Sequence, residues 1–180
     1  MENLEEKTIS TEKIFNGRII SLQVDEVMLP NGSTSKREII KHPGAVAVIA
    51  ITEEGKLVVV EQYRKALEKA IVEIPAGKLE KDEDPALCAR RELEEETGYG
   101  CKEMKLISSF YTSPGFADEI VHVYLASGLY KIENAAELDE DEFVNLMEIT
   151  MEEAQSLITE QKIFDAKTMY AVQYWKLLGK

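Results

Sequence analysis

Cationic side chains are scarce in this chain: 21 Lys and Arg stand against 34 Asp and Glu, a formal net charge of −13. A surface that binds nucleic acid nonspecifically gathers Lys and Arg, so this balance argues against one. Cysteine is scarcer still, with Cys88 and Cys101 alone. Two thiols make no disulfide framework and are read as free in a reducing compartment, Cys88 as a small apolar filler. No apolar run approaches the roughly 18 residues that cross a bilayer, and no membrane partner is expected. The opening MENLEEKTIS is acidic and polar, unlike a secretory signal, so a cytoplasmic protein is expected. The two histidines, His42 and His122, have no spacing that suggests a metal site or a triad, and both are read as structural. What the chain does have is 44% hydrophobic residues over 180 positions, enough for a real core in one ordinary domain with a small appendage.

Residues 7–41 alternate in strand fashion through KTISTEKIF, RIISLQVDEVML and KREII, with PNGS as a turn. They predict a small antiparallel β unit over 1–42, followed by a main domain over 43–180. GAVAVIAIT (44–52) is a continuous apolar run suited to a sheet covered on both faces, and LVVVEQYR (57–64) is expected to return as its partner. Further strands are expected over 105–111, 120–126 and 143–148. Thr150 and Glu153 have the spacing of a capping box at the start of one helix. AKTMYAVQYWKLLGK predicts a second, with Trp175 half-buried at an edge. Strands flanking an interior helix, with a helix at the end, predict an α/β sandwich with a mixed sheet.

The segment GKLEKDEDPALCARRELEEETGY (77–99) crowds carboxylates onto one predicted helix. Asp84 can cap it, Pro85 suits its first position and Gly98 can close it. At about 100° per residue, Glu92, Glu95 and Glu96 share one face, Glu94 points elsewhere, and Ala86, Ala89 and Leu93 lie on a different arc. Converging carboxylates beside a packed face suit a hard divalent cation such as Mg²⁺. An acidic face left to solvent has the same spacing, and geometry alone leaves both readings open.

The same 23 residues fit G-x5-E-x7-R-E-U-x-E-E-x-G-U, where U is a bulky apolar residue, at all nine specified positions. That is the box of the Nudix hydrolases, and the chain resembles that family. The resemblance implies a Nudix-type α/β/α sandwich with a mixed sheet, preceded by the small N-terminal antiparallel β unit. It also implies two or three Mg²⁺ ions, with Mn²⁺ as a substitute. Carried over by position, Glu92, Glu95, Glu96 and the Ala76 carbonyl would be metal ligands. Glu83 and Arg91 would form an orienting ion pair, and Gly77 would allow a tight turn.

VEQYR (60–64), VEIPAGKLE (72–80) and YTSPGFADE (111–119) resemble the ADP-ribose pyrophosphatase branch, as does Pro114, sixteen residues after Gly98. This implies a nucleoside diphosphate substrate, AMP and ribose 5-phosphate as products, and a homodimer that exchanges its N-terminal unit. Arg37, Glu38, Arg64, Glu73 and Pro114 become candidate substrate contacts, and Tyr63 and Phe116 could face an adenine. The general base would come from the acidic loop NAAELDEDEFVNL (134–146), with Glu142 preferred and Glu140 second. The alternatives are a diphosphatase for another nucleotide sugar, such as a GDP-sugar, and a noncatalytic ADP-ribose-sensing module.

Overall fold

Alternating Thr, Ile and Val place the N-terminal segments in three strands, β1 (Lys7–Asn16), β2 (Ser21–Met28) and β3 (Thr34–Lys41), paired antiparallel in the order β1-β2-β3. The computed structural model describes residues 4–134 and 143–179. The β2–β3 connection is the predicted turn: Asn31 Oδ1 accepts from the Ser33 N–H at 3.0 Å and from its hydroxyl at 2.7 Å. These strands belong to a compact unit running to Gly44 that also takes in Phe110–Ile120. Ile40 N–H donates to Phe116 O at 2.8 Å, and the Asp118 carboxylate accepts from the His42 N–H and pairs with Lys41, each at 2.9 Å. The YTSPGFADE stretch is thus bound onto the end of β3.

The second unit comprises Ala45–Ser109 and the chain from Val121 onward. One sheet has the order β7-β4-β9-β8, from β4 (Ala45–Ala50), β7 (Ala76–Lys78), β8 (Tyr99–Tyr111) and β9 (Ile120–Lys131). It is mixed, because β4 runs parallel to β9 and antiparallel to β7. The other sheet is β10-β5-β6, from β5 (Leu57–Arg64), β6 (Lys69–Glu73) and β10 (Val144–Ile149), antiparallel throughout. The expected pairing of 44–52 with 57–64 does not form. Only the bridge Ile51–Leu57 joins them, and the two strands then enter different sheets. Each is apolar on both faces and needs cover on both, which separate sheets supply and a simple hairpin does not.

Helix α1 (Pro85–Thr97) begins and ends as its sequence predicts. Asp84 Oδ1 accepts from the N–H groups of Ala86 and Leu87 at 2.8 and 3.2 Å, a cap contributing about 1 kcal/mol. Gly98 closes it at φ 66°, in the left-handed region. Its apolar arc buries Ala89 and Leu93, with Cys88, among Val46, Val48 and Ala50 of β4, Val58 of β5 and Tyr124 of β9. Helix α2 (Met151–Thr159) carries the capping box in full. In α3 (Ala166–Leu178), Thr168, Ala171, Val172 and Trp175 make one buried stripe. Trp175 is 1% exposed and not half-buried: seven residues after Thr168, it falls on the stripe that faces the core.

Candidate active site

Segment 73–77 is held at every residue. Glu73 is paired with Arg64 and Lys167, and the Ile74 N–H donates to Thr168 Oγ1 at 3.0 Å. Pro75 O accepts from the Val48 N–H at 2.8 Å, and the Ala76 N–H donates to Glu96 Oε2 at 3.0 Å. Gly77 lies under Glu92, where a Cβ would stand 1.9 Å from the carboxylate carbon. Bonded through the Ile74 and Ala76 N–H groups and the Pro75 carbonyl, the edge beside the acidic helix has a fixed shape.

On that edge α1 places Glu92 and Glu96, which are 7% and 6% exposed. Arg91 is the hub for three of the acids. Its Nε is 3.1 Å from Glu83 Oε1, and its Nη1 is 2.8 Å from Glu92 and 2.9 Å from Glu95. The Glu83 carboxylate also accepts from the Glu80 N–H at 2.9 Å, which ties the loop before the helix to the same cluster. The Arg91 hydrogen bond outweighs burial and holds Glu83 below its ordinary value of 4.5. Burial works against the charge of Arg91, but the Glu83 hydrogen bond and the field of Glu92 prevail and keep it more firmly protonated than usual. Cys88 beside this cluster is pushed up to about 12, first by burial and then by its hydrogen bond to Glu83.

Among the described residues, no group of three or more His, Cys, Asp or Glu is arranged around one point as a metal would require. Glu92 and Glu95 turn to Arg91, and Glu96 turns to the Ala76 N–H. The chemistry of the set nonetheless suits a hard cation. The side-chain donors are all carboxylate oxygens, and Glu83, Glu92 and Glu95 gather on a single guanidinium at a mostly buried position.

The second unit therefore brings together Ala76, Glu83, Arg91, Glu92, Glu95 and Glu96, and joins Arg64 to Glu73. Arg37, Glu38 and Pro114 lie in the first unit. Arg37 is held there by Glu6, at 2.8 Å through Nε and 2.6 Å through Nη2. Tyr63 and Phe116 are both more than half exposed. Glu140 and Glu142, with Glu137, Asp139 and Asp141, lie outside the described residues. Sequence reasoning missed Lys167 and Asp165. Asp165 heads the helical segment AKTMY as its cap, a legible signal, but nothing local to Lys167 indicates a bond to a residue 94 positions away.

A family model described as the NUDIX domain matches residues 41–172, and one described as the nucleoside diphosphate sugar hydrolase N-terminal domain matches residues 6–40. The chain is 69% identical over 173 residues to the methanol dehydrogenase activator of Bacillus methanolicus, covering 96% of this chain and 94% of that one. It is 62% identical over 177 residues to the ADP-ribose pyrophosphatase of Bacillus subtilis, covering 98% and 96%. A solved ADP compounds hydrolase superposes with a TM-score of 0.84 over 99% of each chain at 18% identity, which shows the fold.

Proposed function

The chain belongs to the Nudix family, and from that premise we propose that it hydrolyses the diphosphate of ADP-ribose to AMP and ribose 5-phosphate. The observation that carries this reading is the pair of buried carboxylates, Glu92 and Glu96, laid on the Ala76–Gly77 backbone. The ADP-ribose specificity is supported by the Bacillus subtilis relative.

Glu92, Glu95, Glu96 and the Ala76 carbonyl would hold two or three Mg²⁺ ions, or Mn²⁺. Bound there, the ions neutralise phosphoryl oxygens and lower the pKa of water. Glu83 orients Arg91, which keeps Glu92 and Glu95 on the reacting face of α1. Arg64 offers its guanidinium to the diphosphate as a planar fork. Glu142, or Glu140 in its place, takes the proton as a water oxygen bonds to phosphorus and the bridging P–O bond breaks. Arg37 and Glu38 contact the substrate from the N-terminal unit of a second copy, and Pro114 is a further substrate contact. The exchanged homodimer is supported by β1, which is exposed along all ten residues and carries Ile9, Ile14 and Phe15.

The test is incubation with ADP-ribose and Mg²⁺, following AMP by chromatography beside a GDP-sugar. Rapid AMP release that collapses by orders of magnitude in Glu96→Gln is expected. An unaffected variant overturns the ligand set, and faster turnover of the GDP-sugar overturns the substrate.

A second reading is favoured by the 69% identical relative named as a methanol dehydrogenase activator. In it, the chain raises the activity of an alcohol dehydrogenase. Adding wild type and Glu96→Gln to the Bacillus methanolicus methanol dehydrogenase tests this. Unchanged methanol oxidation with both rejects it.

A further inference from the structure

Glu73 ends β6 with its side chain only 4% exposed, and each of its carboxylate oxygens meets a different cation. Arg64 Nε donates to Oε2 at 2.7 Å, and Lys167 Nζ donates to Oε1 at 2.5 Å. Lys167, 15% exposed, also donates to Asp165 Oδ1 at 3.0 Å. That same oxygen accepts from the Thr168 N–H at 3.1 Å and caps α3. The lysine ammonium is therefore held by two carboxylates at once, that of the helix cap and that of the buried glutamate.

The consequence falls on Arg64, whose side chain is 40% exposed. An arginine facing a carboxylate ordinarily closes a two-bond fork, using both oxygens. Here Lys167 already occupies one oxygen, and the Arg64 side chain makes a single bond, through Nε. Among the described residues its two terminal nitrogens have no partner, and they form the edge that takes a phosphate side-on. Charge does not explain the arrangement, since Arg64, Lys167, Glu73 and Asp165 sum to zero. The division of the Glu73 oxygens does.

We propose that Lys167 is a positioning residue for Arg64: by holding Oε1 of Glu73 it restricts Arg64 to a single Nε bond and leaves both terminal nitrogens to the substrate diphosphate. The inference rests on the ADP-ribose reading for its substrate, but not for its geometry. Without the lysine, Oε1 turns to an Arg64 terminal nitrogen, and the fork is consumed inside the protein. The effect belongs to substrate binding, because Lys167 has no contact with the acids of α1 in the hydrogen bonds and ion pairs it makes.

The experiment compares wild type with Lys167→Met, Lys167→Gln and Lys167→Arg on ADP-ribose with Mg²⁺. Lys167→Gln stays polar but is one bond shorter and cannot reach Oε1 as Nζ does, so it reports even where Lys167→Met fails to fold. Losing one charged phosphate contact is expected to raise KM roughly tenfold in the Met and Gln variants, with kcat within about twofold of wild type. Lys167→Arg should recover most of the KM. Adding Lys167→Gln to Arg64→Ala should raise KM no further. Multiplicative effects, or a fall in kcat at unchanged KM, overturn the proposal. If wild type does not turn over ADP-ribose, the functional reading fails, and the guanidinium NMR of Arg64 decides the geometry separately. Slower rotation of its terminal nitrogens in Lys167→Gln supports the positioning role, and spectra identical to wild type sink it.

Discussion

The carboxylate of Glu92 fills the space where a side chain at position 77 would begin: all three of its atoms lie within 2.2 Å of a Cβ built on Gly77. The backbone there is held in place, because Gly77 is paired with the buried Val46 of β4 and the Ala76 N–H is bonded to Glu96. Gly77→Ala must therefore displace Glu92. A shift of about 1 Å in a positioned group can cost roughly 100-fold, and we expect kcat/KM to fall at least that far. Circular dichroism should still show a folded chain. A variant within threefold of wild type would contradict the placement of Glu92 in the site.

The Glu83–Arg91 pair has a pH signature. Hydrogen bonding to Arg91 lowers the folded-state pKa of Glu83 below its unfolded value of about 4.5. A group depressed on folding stabilises the protein above its unfolded pKa, and that contribution is lost as pH falls through the folded value. In metal-free protein, Glu83→Gln should therefore lower Tm at neutral pH and flatten its decline below about pH 4.5. Parallel Tm curves for the two proteins from pH 7 to 3 would show that the pair contributes nothing.

Cys88 and Cys101 are both buried, and burial raises both thiols, Cys88 to about 12. The thiolate is the reactive form, so neither is expected to react with a thiol reagent at about pH 8 in the native protein, and both should react in denaturant. Rapid native labelling would show that the α1 core opens readily.

The acidic loop yields a paired comparison. Glu142→Gln is expected to lose turnover by roughly 100-fold or more, as removal of a general base does, while Glu140→Gln stays close to wild type. Steady-state rates at saturating ADP-ribose decide it. The reverse order assigns the base to Glu140, and two near-native variants exclude both.

Local chemistry made much of this molecule legible. Asp84, Pro85 and Gly98 delimit α1 by capping rules that need no partner, and Thr150 with Glu153 does the same for α2. The grouping of Ala86, Ala89 and Leu93 on one arc is a matter of helical pitch, and the core receives it. Where the reading failed, distant residues decided the outcome. The strand starting at Leu57 was expected to pair along its length with the one before it, but β6 and β10 compete for it and win. Trp175 was placed at an edge because its own segment does not reveal which stripe the sheets will cover.

The sequence by itself determined the spacing of the acids, the ends of the helix that bears them and the strand character of the segments around it, since all of these follow from interactions within a turn or two of chain. Tertiary structure alone decided that Gly77 lies beneath Glu92, that Arg91 gathers three carboxylates, and that Lys167 reaches back to Glu73. Those relationships depend on how sheets and helices stack to bury apolar surface, and no local pattern encodes which distant side chains that stacking brings within hydrogen-bonding distance.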